Sequence, residues 1–208
     1  MRKEFHVLKK IEHLERLTAN QYLNLYKATG KNKVNKNFTY YVASRAKDVK
    51  DLKMKTRKNS PDGVIIFSLY GDKKDQVVLV RQYRTSIDDY IYEFPAGLVE
   101  LDEDYKAAGI REMKEETGLT FIPLPVDAMY EKPYFTTIGM TDESCATIYG
   151  YSQGEPNVKG LEENEELEVI IADRREVRRI LKEENVAIMC AYMLMHFLHS
   201  KDGFDFLK

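Results

Sequence analysis

Read for alternation and periodicity, the chain breaks into short apolar runs separated by polar, glycine-containing stretches. Residues 21–29 alternate loosely, with Leu23 and Leu25 on one face, and residues 38–44 are aromatic and β-branched. The polar Gly30-Lys31-Asn32-Lys33 between them predicts a hairpin turn. Two strands alone are marginal, so this part needs the second half of the chain or a second subunit to pack on. Residues 47–61 form a highly charged connection leading into Ser60-Pro61-Asp62-Gly63, a turn signal. Gly63–Tyr70 is apolar nearly throughout, as expected of a strand covered on both faces. A turn at Gly71-Asp72 leads to a strand at Gln76–Arg84, and a shorter one follows at residues 91–94. The period then changes: residues 104–118 read as a helix with Ala107, Ile110 and Met113 toward a core. Strands are expected at residues 123–130 and 145–151, a polar loop at 153–164, and another strand at Leu167–Ala172. Residues 174–184 predict an amphipathic helix with Val177, Ile180 and Leu181 inward, and residues 186–199 a largely apolar one. The order predicts an α+β or mixed α/β sandwich rather than a doubly wound parallel sheet.

Composition adds bounds. The 208 residues, 43% apolar, suffice to bury a proper core in one large or two small domains. Two cysteines, Cys145 and Cys190, are too few for a disulfide framework, so a reducing, cytoplasmic location is expected. The first ten residues are charged and lead into no apolar run, and no stretch of 18 apolar residues occurs; neither a secretory leader nor a membrane span is expected. The net charge of −2 conceals an asymmetry. Residues 1–58 hold 16 Lys and Arg against 5 Asp and Glu; the remainder holds 16 against 29. That contrast and the turn signal place a boundary between an N-terminal β region, 1–58, and a main domain, 59–208. The basic part either steers a polyanionic substrate or is a solvated surface, one that attracts the acidic part of the same or another subunit.

The candidate chemistry lies in Gly97 to Leu119, GLVELDEDYKAAGIREMKEETGL. Asp102, Glu103 and Asp104 put negative charge at the positive end of the helix, and Gly118 suits the left-handed position just past its end. At 100° per residue, Glu112, Glu115 and Glu116 fall within about a 100° arc of one face. Three such carboxylates repel one another unless a cation sits among them, and a hard divalent ion with oxygen ligands is the natural partner. Arg111, one turn before Glu115, is placed to orient it. Pro95 fixes φ and Gly97 permits a tight turn, so the Ala96 carbonyl is a further candidate oxygen ligand. An isolated ExxEE cluster would read as a solvated acidic face; the fixed spacing of Gly97, Glu103, Arg111-Glu112, Glu115-Glu116 and Gly118 is far more restrictive.

With every defining position filled, this stretch resembles the signature of the Nudix hydrolases. The resemblance implies an α+β fold, an α/β/α sandwich with a mixed sheet, here preceded by the small N-terminal β region. It implies Mg²⁺, with Mn²⁺ as an alternative, held by the Ala96 carbonyl, Glu112, Glu115 and Glu116, with Glu112 and Glu116 essential to catalysis. A strand ending Arg81-Gln82-Tyr83-Arg84, followed by Glu93-Phe94-Pro95-Ala96-Gly97, is similar to the ADP-ribose and nucleoside-diphosphate-sugar pyrophosphatase branch. In that branch's terms Arg84, Gln82 and Glu143 are candidate substrate contacts. The acidic loop at residues 162–166 would supply the general base at Glu163 and a metal contact at Glu165. The implied reaction is metal-assisted attack of water on a diphosphate, giving a nucleoside monophosphate and a sugar phosphate. The implied assembly is a homodimer through the N-terminal region, with nucleic acid not expected as a partner. Ile138 departs from the branch, which carries proline there, and leaves the preferred substrate open. Dinucleoside polyphosphates, capped RNA or a non-catalytic sensing role remain alternatives. Tyr40, Tyr41, Tyr83 and Tyr134 are candidates for stacking on a base. His196 and His199 read as core or interface residues, since no third zinc ligand lies near them in sequence.

Overall fold

A computed structural model describes residues 10–161, 163 and 165–207. In chain order the elements are β1 (Ile11–Arg16), β2 (Asn24–Lys31), β3 (Asn37–Ser44), α1 (Lys53–Thr56), β4 (Gly63–Tyr70), β5 (Gln76–Arg84), β6 (Asp89–Glu93) and β7 (Ala96–Leu98). Then come α2 (Tyr105–Thr117), β8 (Thr120–Pro123), α3 (Ala128–Glu131), β9 (Tyr134–Phe135), β10 (Ser144–Gln153), β11 (Leu167–Ala172), α4 (Arg174–Glu183) and α5 (Ile188–His199). The chain divides into two compact units. One gathers residues up to Asp62 together with Tyr134–Ser144, and the other holds Gly63–Pro133 and Cys145–Lys208.

The larger unit is built on a mixed sheet in the order β11-β5-β4-β10-β8, with β4 parallel to β10 and its other neighbours antiparallel. Side chains alternate across a strand, and β4 uses both faces. Phe67 and Leu69 point into one core with Val77, Leu79, Tyr149, Val177, Ile180, Leu194 and Phe197, under α4 and α5. Val64 and Ile66 point into a second core with Val78, Ala108, Met113, Phe121 and Ile148, under α2. Helices therefore cover both faces of the sheet, the expected α/β/α arrangement. The first core is organised by Phe67, whose ring lies 5.1 Å from Phe94, 5.6 Å from Phe204 and 6.1 Å from Tyr149 between centroids. These tilted and edge-on geometries suit the ring quadrupoles.

The β4–β5 hairpin splays after two paired positions, Leu69↔Val77 and Tyr70↔Gln76. Into the opening run β6, paired with the far end of β5, and β7, paired with Gly63–Ile65 of β4. The Ile66 amide bonds the Pro95 carbonyl at 2.9 Å, so the Pro95-Ala96-Gly97 corner is fixed to the centre of the sheet.

The sequence expectations need three corrections in this unit. The expected strand at 123–130 is instead β8, ending at Pro123, followed by the short helix α3. Pro123 and Pro125 cannot sustain a ladder, and Asp127 caps α3 by accepting from the Met129 amide at 2.8 Å. In α2, Ala107 and Ile110 are exposed; the buried face is Ala108, Gly109, Met113, Glu116 and Thr117. Gly109 sets that rotation, because its bare Cα lies against Ile148 and Val64. In α4 the expected inward face holds: Val177 and Ile180 are fully buried, and Leu181, half-buried, packs against the same core. The last helix starts at Ile188, since Val186 bridges Tyr92 and Ala187 is its N-cap. No helix among the described residues is long and apolar enough to cross a membrane.

The smaller unit is a three-stranded antiparallel sheet, β1-β2-β3. Its first strand, with the irregular sequence IEHLER, carries no clear alternation and was not predicted. Tyr26, Ala28 and Val42 share the inward face with Asn24 and Ser44, and Tyr26 Oη donates to the Ala46 carbonyl at 2.8 Å. Leu25 falls on the other face beside Lys27 and Tyr41, and Leu23 is exposed too. The apolar row in the sequence thus points outward, because Tyr26 is the larger residue to bury.

Gly109→Val should test the α2 contact. A Cβ at Gly109 would lie 2.3 Å from Ile148 Cδ1, so overpacking should cost about 1–3 kcal/mol, read as a lower denaturation midpoint with unchanged m-value.

Candidate active site

Three local devices build the site. Asp104 caps α2, its carboxylate accepting from the amides of Lys106 at 3.0 Å and Ala107 at 3.3 Å. Gly118, at φ 69°, ends the helix and returns its amide to the Lys114 carbonyl. Between them the glutamates of one helix face meet the Ala96-Gly97 corner of β7.

Glu116 is the most confined, at 3% exposure, and its Oε2 accepts the Ala96 amide at 3.1 Å. Burial pushes its carboxyl well above the usual range, with the charges of Glu112 and Glu165 adding and the Ala96 amide opposing. Glu112 is also raised, mainly by burial. Gly97 is the floor on which Glu112 rests: a Cβ there would come 1.9 Å from the Glu112 carboxyl carbon. Only glycine leaves room for the carboxylate to lie on the backbone.

Arg111 ties the acidic groups together. Its guanidinium donates to Glu103 at 3.1 Å through both Nε and Nη2, to Glu112 and Glu115 at 2.9 Å, and to the Leu98 carbonyl at 3.2 Å. The arginine is held firmly charged, and its hydrogen bonds hold Glu103 below the usual carboxylate range.

The expected residues divide as follows. Glu112, Glu115, Glu116 and Ala96 are brought together. Glu165, half-buried, is close enough that its charge acts on both Glu112 and Glu116. Glu163 is exposed in a turn, while Glu162 and Asn164 lie outside the described residues. Arg84 bonds Glu93 Oε2 at 2.7 Å, and its charge reaches Glu116. Gln82 is buried in β5, between Ile91 of β6 and Leu167 of β11. Glu143 lies in the smaller unit, where Arg45 at 2.9 Å and Thr136 at 3.1 Å engage it.

Two supporting residues were not foreseen. Glu93 holds Arg84, and Tyr90 holds the acidic loop by donating its hydroxyl to Glu166, with Arg81 stacked 4.0 Å above its ring. Both depend on the β5–β6 register, which pairs Arg84 with Asp89 and Val80 with Glu93. An arginine nine positions from a glutamate signals a contact only once that register is known.

Among the described residues no three His, Cys, Asp or Glu side chains form a ready cation cage. The carboxylates turn instead to Arg111 and to the Ala96 amide. The donor chemistry nevertheless fits a hard divalent ion. A buried carboxylate lies in the field of two others, and one amide is the donor recorded for it.

Comparison with known proteins gives a consistent likeness. The NUDIX domain pattern matches residues 59–189. A putative nudix hydrolase 2 of Caenorhabditis elegans is 36% identical over 121 residues, 55% of this chain and 53% of that protein. An ADP-ribose pyrophosphatase of Saccharomyces cerevisiae is 31% identical over 108 residues, 51% of this chain and 47% of that protein. An ADP-sugar pyrophosphatase of Mus musculus is 50% identical over 42 residues, 20% of this chain and 19% of that protein. The chain spans about half the length of the first two of these relatives. In three dimensions it superposes on a crystal structure of an ADP compounds hydrolase with a TM-score of 0.64, 14% identity, and 94% and 95% of the two chains covered. At that identity the likeness is one of fold.

Glu116→Gln tests the confinement. The folded-state pKa is raised, so the fold disfavours the carboxylate form of Glu116; that penalty is complete above the folded value and fades as pH falls from it toward the unfolded value of about 4.3. In chelator at pH 7 the variant should be more stable than wild type. The gain should vanish near pH 4, measured by thermal melting across pH.

Proposed function

The chain belongs to the Nudix family, and we propose that it hydrolyses the diphosphate bond of a nucleoside diphosphate sugar of the ADP-ribose kind. The products are a nucleoside monophosphate and a sugar phosphate. The observation that carries this reading is Glu116, buried against the Ala96 amide in the field of Glu112 and Glu165. Such a cluster has a purpose in binding a cation and none in packing. The relatives named for ADP-ribose and ADP-sugar pyrophosphatase activity support the choice of substrate class.

Divalent cations, Mg²⁺ or alternatively Mn²⁺, held by Glu112, Glu115, Glu116, Glu165 and the Ala96 carbonyl, would neutralise the diphosphate and favour attack of water at phosphorus. Arg84 exchanges its bond to Glu93 for a phosphate oxygen, which its planar fork suits. Gln82 lines the same strand end. Glu163 takes the proton of the attacking water, and the loop that carries it is tied down at Glu166 by Tyr90. Arg111 acts as a positioning residue for Glu112 and Glu115. Glu143, engaged by Arg45, is not part of the proposed set.

The protein works as a cytoplasmic homodimer in this reading, joined through the outward face of β2 and β3. Leu25 and Tyr41 stand exposed there beside Leu23, an apolar row on an otherwise basic region.

Turnover of ADP-ribose, UDP-glucose, GDP-mannose, NADH and diadenosine polyphosphates, with Mg²⁺ and with chelator, tests the function. Metal-dependent release of AMP from ADP-ribose is expected. Glu112→Gln and Glu116→Gln should each lower it by about a thousandfold, roughly 4 kcal/mol of barrier, with the fold intact. Glu163→Gln should lower kcat with little change in KM, whereas Glu165→Gln should raise the Mg²⁺ concentration required. Near-normal turnover in Glu116→Gln, or no turnover of any substrate in wild type, defeats the reading. The dimer is tested separately by sedimentation: the Leu25→Asp, Tyr41→Asp double variant should shift the protein to monomer.

A further inference from the structure

The smaller unit holds an open pocket of about 450 Å³ that the proposed diphosphate chemistry does not use. Its walls come from the inward face of the β1-β2-β3 sheet, from α1 and its C-terminal continuation, and from residues 134–144, all within the one unit. The face opposite carries Leu25 and Tyr41, so packing on that face leaves the cavity untouched.

The interior is apolar: Ile11, Val42, Met54, Phe135 and Ile138 line it. Its polar groups are mostly engaged already. Tyr40 donates its hydroxyl to the Gly139 carbonyl, leaving its ring toward the space. Asp142 accepts the Lys53 amide at 3.3 Å, and the Lys53 ammonium is bound to Asp62 at 2.6 Å and to Ser144. Two cations in the lining differ. Arg57 and Lys58 have exposed side chains with no carboxylate partner among the described residues. Arg57 occupies the left-handed position that ends α1, its amide bound to the Lys53 carbonyl, so its backbone is fixed.

From this arrangement we propose that the cavity is a binding site for an amphiphilic carboxylate, an aliphatic or aryl acid whose apolar body fills the pocket and whose carboxylate is met by Arg57 and Lys58. The volume lies in the roughly 300–1,000 Å³ range of small-molecule sites, which are mostly apolar with a few placed polar groups. An arginine fork matches a carboxylate, and an apolar wall rewards each methylene removed from water. A nucleobase is disfavoured, because its ring nitrogens and amino groups would face Ile11, Val42, Met54 and Phe135 unpaired.

The test uses the full chain and a series from octanoate to dodecanoate, each below its micelle concentration, titrated calorimetrically and against the fluorescence of 8-anilinonaphthalene-1-sulfonate. Saturable one-to-one binding is expected, tightening with chain length, with dodecanol at least tenfold weaker than dodecanoate. The Arg57→Ala, Lys58→Ala double variant should lose at least tenfold for dodecanoate and nothing for dodecanol. Ile138→Asp, at an exposed position of the lining, should weaken both without harm to the fold. Absence of saturable binding, equal binding by all variants, or displacement of the probe by AMP as readily as by dodecanoate would overturn the proposal. Because each readout is binding rather than turnover, its failure is separable from failure of the hydrolase reading.

Discussion

Among the described residues Arg111 is the one positive group bonded to Glu103, Glu112 and Glu115, and the shape of the loop from β7 to α2 depends on it. Its bonds to Glu103 and to the Leu98 carbonyl fasten the loop to the helix, and those to Glu112 and Glu115 restrain two of the clustered carboxylates. Glu116 lies outside this set. It sits deeper, against the Ala96 amide, and bears the like-charge field of Glu112 and Glu165. The three helix glutamates are therefore unequal: Glu115 is the most exposed and tied to arginine, Glu112 rests on Gly97, and Glu116 is buried. Such a cluster trades stability for chemistry, an arrangement natural proteins keep at functional sites.

Much of this was legible in the sequence because it is local. Asp104 and Gly118 delimit α2 by cap chemistry that depends on a few neighbouring residues. The convergence of Glu112, Glu115 and Glu116 follows from helical geometry alone, and β4 announced its double coverage by being apolar throughout. What was not legible required knowing what packs on what. Ala107 and Ile110 had as good a claim to the core as Ala108 and Gly109, until Gly109 proved to be the point of closest approach to Ile148. Leu25 outranks Asn24 in hydrophobicity, yet β2 buries Asn24, which accepts from Arg16 at 3.0 Å and from the Asn20 amide at 2.8 Å. The pairing of Arg84 with Glu93 and of Tyr90 with Glu166 depends on strand register, which composition does not fix.

The smaller unit illustrates a different limit. Its sequence is basic, and the simplest use of that charge is to attract a polyanion. In the structure several of these cations are internally committed: Lys53 to Asp62, Arg45 to Glu143, Arg16 to Asn24 and Thr18. The net charge of the segment therefore overstates what is available to a ligand. Arg57 and Lys58, at the end of a four-residue helix, matter more than the total because they have no carboxylate partner among the described residues and stand beside apolar walls.

The parallel pairing of β4 with β10 has a consequence for how the chain reaches this state. Gly63 meets Cys145 and Tyr70 meets Ser152, so the central strand waits for a partner roughly 80 residues downstream. During synthesis β4 emerges with its brief contact to β5, and then β7 and α2, to cover it, while the apolar face that α4 and α5 will seal stays open. Loop closure must precede the reward of that pairing, and the helices α4 and α5 that seal one face arrive later still. The strand that centres both cores thus keeps one apolar face open to misassociation until the C-terminal helices arrive.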